Sequence, residues 1–591
     1  MKRLLSTLVS LVSVVWVVGC AGGPSSSAGP ASFVLAEVDD IATGPLQTRP
    51  AVIELNGKPG ILYSTKAGRV AFQNGDKRSL LDETARVKQG GSYFQLNKQG
   101  QNLQALWWSH QDGKNVYLAS STDGGQSFAP VSMVNDEHGV LPPFTLTHAE
   151  DGVLGVTYHD ERVPNYQAFF NRSTDYGRTW ARPDMRLDTP PEGGRSSNVH
   201  EPQMVQVGKV WVSAWTDTTR TTDGQASYRI VSRRSLDAGK TWMPAEVLFA
   251  SNHHISALIA RAQDGHIVLA ADELNRGVFA LTSSDLGATW AGPGILAGTD
   301  GVNNSGIDMA IADGRVHLVW MRDRTDEKTR IMRGSFDIAT AKWLDSVQRL
   351  NTKEFENTRS TSPVILANAQ GKLIAAWVDY MDIRPNVYLS TSHDRGHSWT
   401  SPQALLNPGE VAAGWPMLIR WEGDVAIAYE TYPTDVLANG RFQVRLLKFA
   451  ADGKELIGLP NRSQISESAK KARLEERVKA LWESRIASNY EPAYDIFDFA
   501  YKAVTPKKSY LENTGVITYM SYSVDSIAIS GNEASVNMKV KYEVKPTILP
   551  MTGKPITVPP FDAETPTKWV WVANDWYLVY TPSFDPPVLK Y

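Results

Sequence analysis

The residues best suited to hold a polar ligand recur through the middle of the chain. Asp112, Asp160, Asp217, Asp272, Asp323 and Asp379 each follow the second of two apolar runs, often beside an aromatic, as in Trp215-Thr216-Asp217 and Trp377-Val378-Asp379. Cations stand close to several of them: Arg162, Arg322, Arg324 and Arg384. A second series opens the first apolar run of a unit and comprises Arg49, Glu201, His253-His254, Asn304 and Arg359. Gathered round one opening, these acceptors and donors would line a funnel of mixed charge suited to sugar hydroxyls. Taken singly, each aspartate has a plainer use, capping its own loop. No dense run of oxygen ligands points to calcium. His253 and His254, adjacent on a strand, point to opposite faces, which argues against zinc. The expectation is no metal and no cofactor.

What positions these residues is a repeated hairpin. Apolar runs flank the tight turns Asn56-Gly57, Gln99-Gly100, Asp151-Gly152, Gly208-Lys209, Asp264-Gly265, Asp313-Gly314, Gln370-Gly371 and Glu422-Gly423, a strong hairpin signal. Behind five of the hairpins stands a fixed phrase, Ser-x-Asp-x-Gly-x-x-aromatic: Ser121–Phe128, Ser173–Trp180, Ser235–Trp242, Ser283–Trp290 and Ser392–Trp399. A worn copy, Ser335-Phe336-Asp337 with Trp343, fills the gap between the fourth and fifth. The Ser and Asp side chains can bond the backbone of a turn, Gly supplies positive φ, and the aromatic can pack beneath the hairpin. Intervals of about 50 residues match propeller blades. The expected fold is mainly β: a β-propeller over 45–460, most simply of eight four-stranded repeats, with six or seven as alternatives. In such a blade the starts of first strands and the ends of second strands share one face, and the Ser-Asp-Gly turns lie on the other.

The phrase is the Asp-box, also called the BNR repeat, and the region resembles the sialidase-like β-propellers. That resemblance implies a glycan-directed site with three arginines on a carboxylate, a tyrosine nucleophile paired with a glutamate, and an aspartic acid. Thr48-Arg49-Pro50 is similar to the stretch that carries the first arginine, although the usual Ile is missing. His200-Glu201-Pro202 resembles the stretch that supplies the glutamate, and Ala428-Tyr429-Glu430 the closing Tyr-Glu strand. The strand after Glu201 departs from the pattern by ending in Ser213-Ala214-Trp215-Thr216-Asp217 where an arginine is expected. Arg322, Arg324 and Arg359 are equal candidates for the third arginine, and Tyr380 is the candidate nucleophile.

The chain has 591 residues, a formal net charge of -3, 18 Trp and one cysteine, Cys20. No nucleic-acid partner is expected, and no internal disulfide can form. Residues 1–20 read as a bacterial lipoprotein signal: Lys2-Arg3, an apolar run, then Val17-Val18-Gly19-Cys20. Cys20 would carry the lipid and tie the protein to the membrane. Ala21 in the next position favours the outer membrane, and 21–44 forms a flexible tether.

From residue 461 the texture changes. Ser466–Ile486 has a helical apolar spacing at Leu474, Val478, Leu481 and Trp482, and 493–501 reads as a second short helix. Strands follow over 514–525, 526–529, 534–544 and 569–580, with Pro559-Pro560 and Pro586-Pro587 read as loops. This α+β order over 461–591 resembles the nuclear transport factor-like, or cystatin-like, cone fold. It implies a binding or dimerising module.

A dense positive charge is needed to desolvate and seat an anionic sugar, and a rim of aspartates supplies it poorly. The leading expectation is therefore a propeller that binds glycan or an envelope protein without catalysis. The alternative is an exo-acting glycoside hydrolase of the sialidase superfamily, with Glu201, Arg49 and Tyr380 at its site. Trp107-Trp108 could stack on a sugar but reads more naturally as packing between sheets.

Overall fold

A computed structural model describes residues 49–82, 91–110, 113–161, 165–188, 198–220, 224–296, 298–323, 329–351, 359–382, 384–405, 412–432, 443–448, 465–498, 501–502, 505–512, 514, 517–548, 555–572 and 575–579. The signal and tether, Asp112, Arg162 and Arg324 lie outside the described residues.

The described residues within 51–448 form eight antiparallel sheets taken in chain order. They span 51–80, 92–133, 140–186, 198–251, 255–295, 304–349, 360–404 and 412–448, here blades 1 to 8. Within each blade consecutive strands pair as neighbours, as short tight turns demand. Blade 6 gains a fifth short strand, and blade 8 shows three among the described residues. The second strands are the most deeply buried, for example Leu103–Trp108 and Leu373–Val378. Trp107 and Trp108 are both in the core, as packing between sheets requires.

The ring closes through side chains. Leu55 and Phe72 of blade 1 share a cluster with Leu103 and Trp107 of blade 2. Phe170 of blade 3 shares one with Trp211 of blade 4. The series ends where Trp421, Ala426 and Leu446 of blade 8 pack on Ile61 and Tyr63 of blade 1. The architecture is a β-propeller with eight sheets in a closed circuit.

The hairpin turns adopt the backbone their residues favour. Asn56-Gly57, Asp151-Gly152, Asp264-Gly265, Asp313-Gly314 and Glu422-Gly423 all have positive φ at both positions, the geometry that matches strand twist. The Ser-x-Asp-x-Gly turns act as clasps between blades. In the third copy Ser235 Oγ donates to Asp237 at 2.9 Å and accepts from Gly239 N at 2.9 Å. Asp237 in turn accepts from Thr241 N and Oγ1 at 2.8 and 2.7 Å. Trp242 then lies edge-on against Phe170 of the preceding blade, with ring centroids 5.0 Å apart. Phe128 meets Phe72 in the same way at 5.1 Å, and Trp180 donates to Ser132 of the blade before it at 3.0 Å.

These turns sit at the far end of the blade from the ligand candidates. In blade 4 Ser235 pairs with Trp211 at the start of the second strand, while Asp217 at its end pairs with Val199. One feature of the inner strands is absent from the sequence pattern. From blade 2 to blade 8 every innermost strand slips register near its start. In six of the seven the slip carries a residue with positive φ: Tyr93, Glu201, Ala257, Gly306, Ser362 and Trp415. Such bulges break the in-out alternation and re-aim side chains, here at one mouth of the ring.

The C-terminal part is α+β. α1 (Glu467–Ile486) is capped by Ser466, whose side chain accepts from Ala469 N, and buries Leu474, Val478, Leu481 and Trp482 against a curved sheet. α2 (Tyr490–Ile496) begins earlier than the sequence suggests, because Pro492 falls in its first turn, where the missing N–H costs nothing. A third short helix, α3 (Lys507–Glu512), was not expected. The expected breaks within 514–529 disappear into one long strand, Ile517–Ser530. Pro559-Pro560, expected in a loop, lie in the strand Pro555–Glu564. Among the described residues that strand pairs only with Glu533–Ile548, an edge position that tolerates proline. Among the described residues no helix is long and apolar enough to cross a membrane.

Candidate functional site

At the bulged mouth of the ring, blades 3, 4 and 5 enclose a cavity of about 330 Å³. His159 ends a second strand, His200 and Glu201 open the next inner strand, and Asp217, Tyr228 and His254 complete much of the wall. His254 lines this cavity and its neighbour His253 does not. Contrary to the sequence expectation, both lie in the turn between the strands Glu246–Ser251 and Ile255–Gln263, so strand alternation does not govern them.

The imidazoles form an edge-to-face group. His159 and His200 are 6.1 Å apart, and Tyr166 contacts both, at 5.8 and 5.3 Å. Tyr228 lies 5.1 Å from His254. Burial, aided by His200, pushes His159 down to about 4. Burial, aided by His254, also lowers His200. Both rings are therefore neutral at pH 7, each offering one donor and one acceptor.

The two carboxyl groups are tied differently. Glu201 reaches into blade 5 and accepts from Leu258 N at 2.9 Å. Burial raises its affinity for a proton, against the pull of the Leu258 and Ala257 amides. Asp217 receives a charge-assisted bond from Arg229 through Oδ2. Burial raises its carboxyl too, with Arg229 opposing. Asp217 and His159 are each only 5% exposed. Yet Asp217 Oδ1 and His159 Nδ1 have no hydrogen-bond partner among the described residues. Buried polar atoms left unpaired are rare and costly. Both residues line the cavity, whose wall offers the hydroxyls of Thr216, Thr218, Tyr228 and Ser256 beside three imidazoles. None of the described residues lining it is a lysine or arginine.

The other candidates are dispersed. Arg49 lies flat over Trp415, with its Cζ 3.4 Å from the ring centroid, beside Glu430 at the seam of blades 8 and 1. Burial pushes the Glu430 carboxyl up to about 7 despite Arg49. Tyr380 is 38% exposed on blade 7, and its amide donates to the Arg359 carbonyl at 3.1 Å. Arg322 donates to the Gly298 carbonyl on the blade 6 side. Among the described residues no hydrogen bond or ion pair joins Glu201 to Arg49 or Tyr380.

The recurring aspartates do not share one orientation. Asp160, Asp217 and Asp379 occupy one register relative to the inner strand. Asp272 sits one residue away, opposite Ser256, and so faces the other side of its sheet. Most have local partners. Asp272 accepts from Asn304 at 3.1 Å, and burial pushes it up to about 6. Asp323 accepts from Asn303 at 2.6 Å, and Asp379 from Ser360 at 2.5 Å. Asp160 is fully buried. Only Asp217 joins the cavity described above. Among the described residues no group of three His, Cys, Asp or Glu is arranged to hold a metal ion.

The sequence pointed to Glu201, Asp217 and the His253-His254 pair but missed His159, His200, Tyr166 and Tyr228. The available signal was positional. His159, His200 and His254 fall at the same blade end in three consecutive units, although the chain has only 11 histidines.

No family model and no curated protein sequence matches the chain. Among solved structures it is similar to the NanB sialidase of Streptococcus pneumoniae, at 10% identity over 71% of this chain and 98% of that one, with a TM-score of 0.32. It is also similar to an alpha-L-arabinanase of Penicillium chrysogenum, at 15% identity over 52% and 96%, TM-score 0.32. A third is an ulvan lyase of polysaccharide lyase family 25, at 9% identity over 73% and 100%, TM-score 0.37. Similarity at this level assigns no function.

Proposed function

We propose that the propeller is a saccharide-binding module whose pocket lies between blades 3 and 5. The observation that carries this reading is a cavity walled by the imidazoles of His159, His200 and His254, the hydroxyls of Thr216, Thr218, Tyr228 and Ser256, and the carboxyl groups of Glu201 and Asp217. A sugar hydroxyl can donate to one such group and accept from the next, and the Tyr228 and His254 rings offer apolar faces. Because no lysine or arginine lines the described wall, a neutral sugar suits the pocket better than a sialic acid. The module would be held to the bacterial envelope through lipidated Cys20 and the 21–44 tether, probing glycan or an envelope protein at the outer membrane. In this reading 461–591 is a nuclear transport factor-like cone.

The test is calorimetry of the full-length chain in detergent with neutral and sialylated oligosaccharides. Binding of a neutral sugar that His200→Ala weakens at least tenfold supports the reading. Binding of sialylated glycans alone, or an unaltered His200→Ala, overturns it.

One observation favours a second reading, a glycoside hydrolase in which Glu201 is the acid: burial raises its carboxyl, the direction a proton donor needs. Release of fluorophore from a panel of aryl glycosides, lost on Glu201→Gln, would support hydrolysis. Turnover unchanged by that substitution would remove Glu201 from the reaction.

A further inference from the structure

Beyond the register slips, the innermost strands of blades 2 to 5 line a second cavity, of about 380 Å³. It shares no residue with the pocket near the mouth. Each strand contributes the half that runs from its slip to its hairpin turn. The polar side chains on the wall are Gln95 and Asn97 of blade 2, Thr147 and His148 of blade 3, Gln206 of blade 4 and Arg261 of blade 5.

Bonds between neighbouring blades decide which end of each group is left over. Gln95 Nε2 donates to the Phe144 carbonyl at 2.6 Å, so its Oε1 is spare. Gln206 Oε1 accepts from Thr147 Oγ1 at 2.5 Å and from His148 N at 2.8 Å, so its Nε2 is spare. Asn97 Nδ2 lies 2.9 Å from His148 Nδ1. An amide nitrogen can only donate, so Nδ1 accepts and Asn97 keeps Oδ1. Burial lowers the affinity of His148 for a proton, which leaves the ring neutral at pH 7 with its one N–H at Nε2. Gln95, Asn97, His148 and Gln206 are half-buried. Their spare atoms have no partner among the described residues and, unlike polar atoms sealed in the core, stay in contact with solvent. Arg261 gives Nη1 to the Ala260 carbonyl at 3.0 Å and Nη2 to Asp308 at 3.2 Å. Two of its five N–H groups are thereby used. Asp308 is shared, because it also accepts from the Met309 and Ile365 amides, each at 2.9 Å.

The cavity is therefore polarised. Spare acceptors stand on blade 2 and spare donors on blades 3, 4 and 5, with the guanidinium furthest round the ring from the acceptors. A simple anion would meet the Gln95 and Asn97 oxygens, and a simple cation would meet the Arg261 charge. A molecule with a negative end and a donor end uses both sides.

We propose that this cavity binds a free α-amino acid, its carboxylate on Arg261, Gln206 and His148 and its ammonium on the Gln95 and Asn97 oxygens. Bonds to ionised groups at both ends are the strong class of hydrogen bond. The site lies apart from the saccharide pocket, so either proposal can fail alone.

The experiment is titration calorimetry of the full-length chain in detergent with L-alanine, L-serine and L-glutamine. Propionate, which lacks the ammonium, and alaninamide, which lacks the carboxylate, are the controls. At least one amino acid should bind at a single site with a Kd of about 1 mM or tighter, and at least tenfold more tightly than either control. Arg261→Met should weaken it at least tenfold. If that variant loses the native near-ultraviolet circular dichroism, Asn97→Ala carries the test, with an expected weakening of severalfold. No saturable binding of any of the three, equal binding of either control, or folded variants that bind unchanged would each overturn the proposal.

Discussion

Gly239 and Gly208 separate two costs that are usually confounded. Both have positive φ, 77° and 60°. A Cβ at Gly208 would meet nothing within 4 Å, whereas one at Gly239 would lie 2.6 Å from Phe170 Cζ and 2.8 Å from Trp211 Cζ3. Those rings cannot step aside, since both are buried and Trp242 bears on Phe170. Alanine at either site pays about 1–2 kcal/mol for the left-handed backbone. It recovers about 0.4–1 kcal/mol by restricting the unfolded chain. Gly239→Ala adds overpacking of about 1–3 kcal/mol. A chain with several structural units is best followed by its unfolding rate at fixed urea, read by tryptophan fluorescence. If the added cost falls on the native state, Gly239→Ala should unfold roughly 5- to 150-fold faster than Gly208→Ala. Equal rates would refute the claim that this glycine lets the Ser-Asp-Gly turn press against the preceding blade.

Two further outcomes are expected. Glu430 keeps its proton in the folded protein to about pH 7, whereas an unfolded glutamate releases it near 4.3. The folded state therefore binds more protons between those values, and its stability should fall as pH rises through that window, by on the order of 3–4 kcal/mol. Glu430→Gln should flatten the pH profile of urea unfolding, and superimposable profiles would contradict this. Asp237→Ala removes the acceptor for Thr241 N, Thr241 Oγ1 and Ser235 Oγ and should cost about 1–2 kcal/mol. An unchanged urea midpoint would mean that the box turn holds without its aspartate.

Much of the ring was legible because its turns restrict residue type. Positive φ at both positions of Asp264-Gly265 or Asp313-Gly314 favours the residues found there, so the hairpins announce themselves. The repeated Ser-x-Asp-x-Gly phrase is legible for the same reason, since Ser, Asp and Gly each make a separate backbone contact. The bulges are different. Glu201, Trp415 and Tyr93 adopt positive φ without being the residues that prefer it, because the ring imposes the conformation. Nothing local marks them. The cavity was half legible: Glu201 and Asp217 stood out, but His159 and His200 meet only once two blades pack. The aspartates looked equivalent along the sequence, and a one-residue difference in register sends Asp272 to the other side of its sheet. In the C-terminal part the tandem proline Pro559-Pro560 suggested a loop, and only the edge position of its strand explains why pairing survives.

The most direct measurement is a crystal structure of the protein grown with a neutral oligosaccharide. The expected result is a sugar between blades 3 and 5, with hydroxyls bonded to His200, Tyr228 or Asp217. A sugar seated instead at the Arg49–Trp415 seam, or on the Asp-box face, would contradict the account.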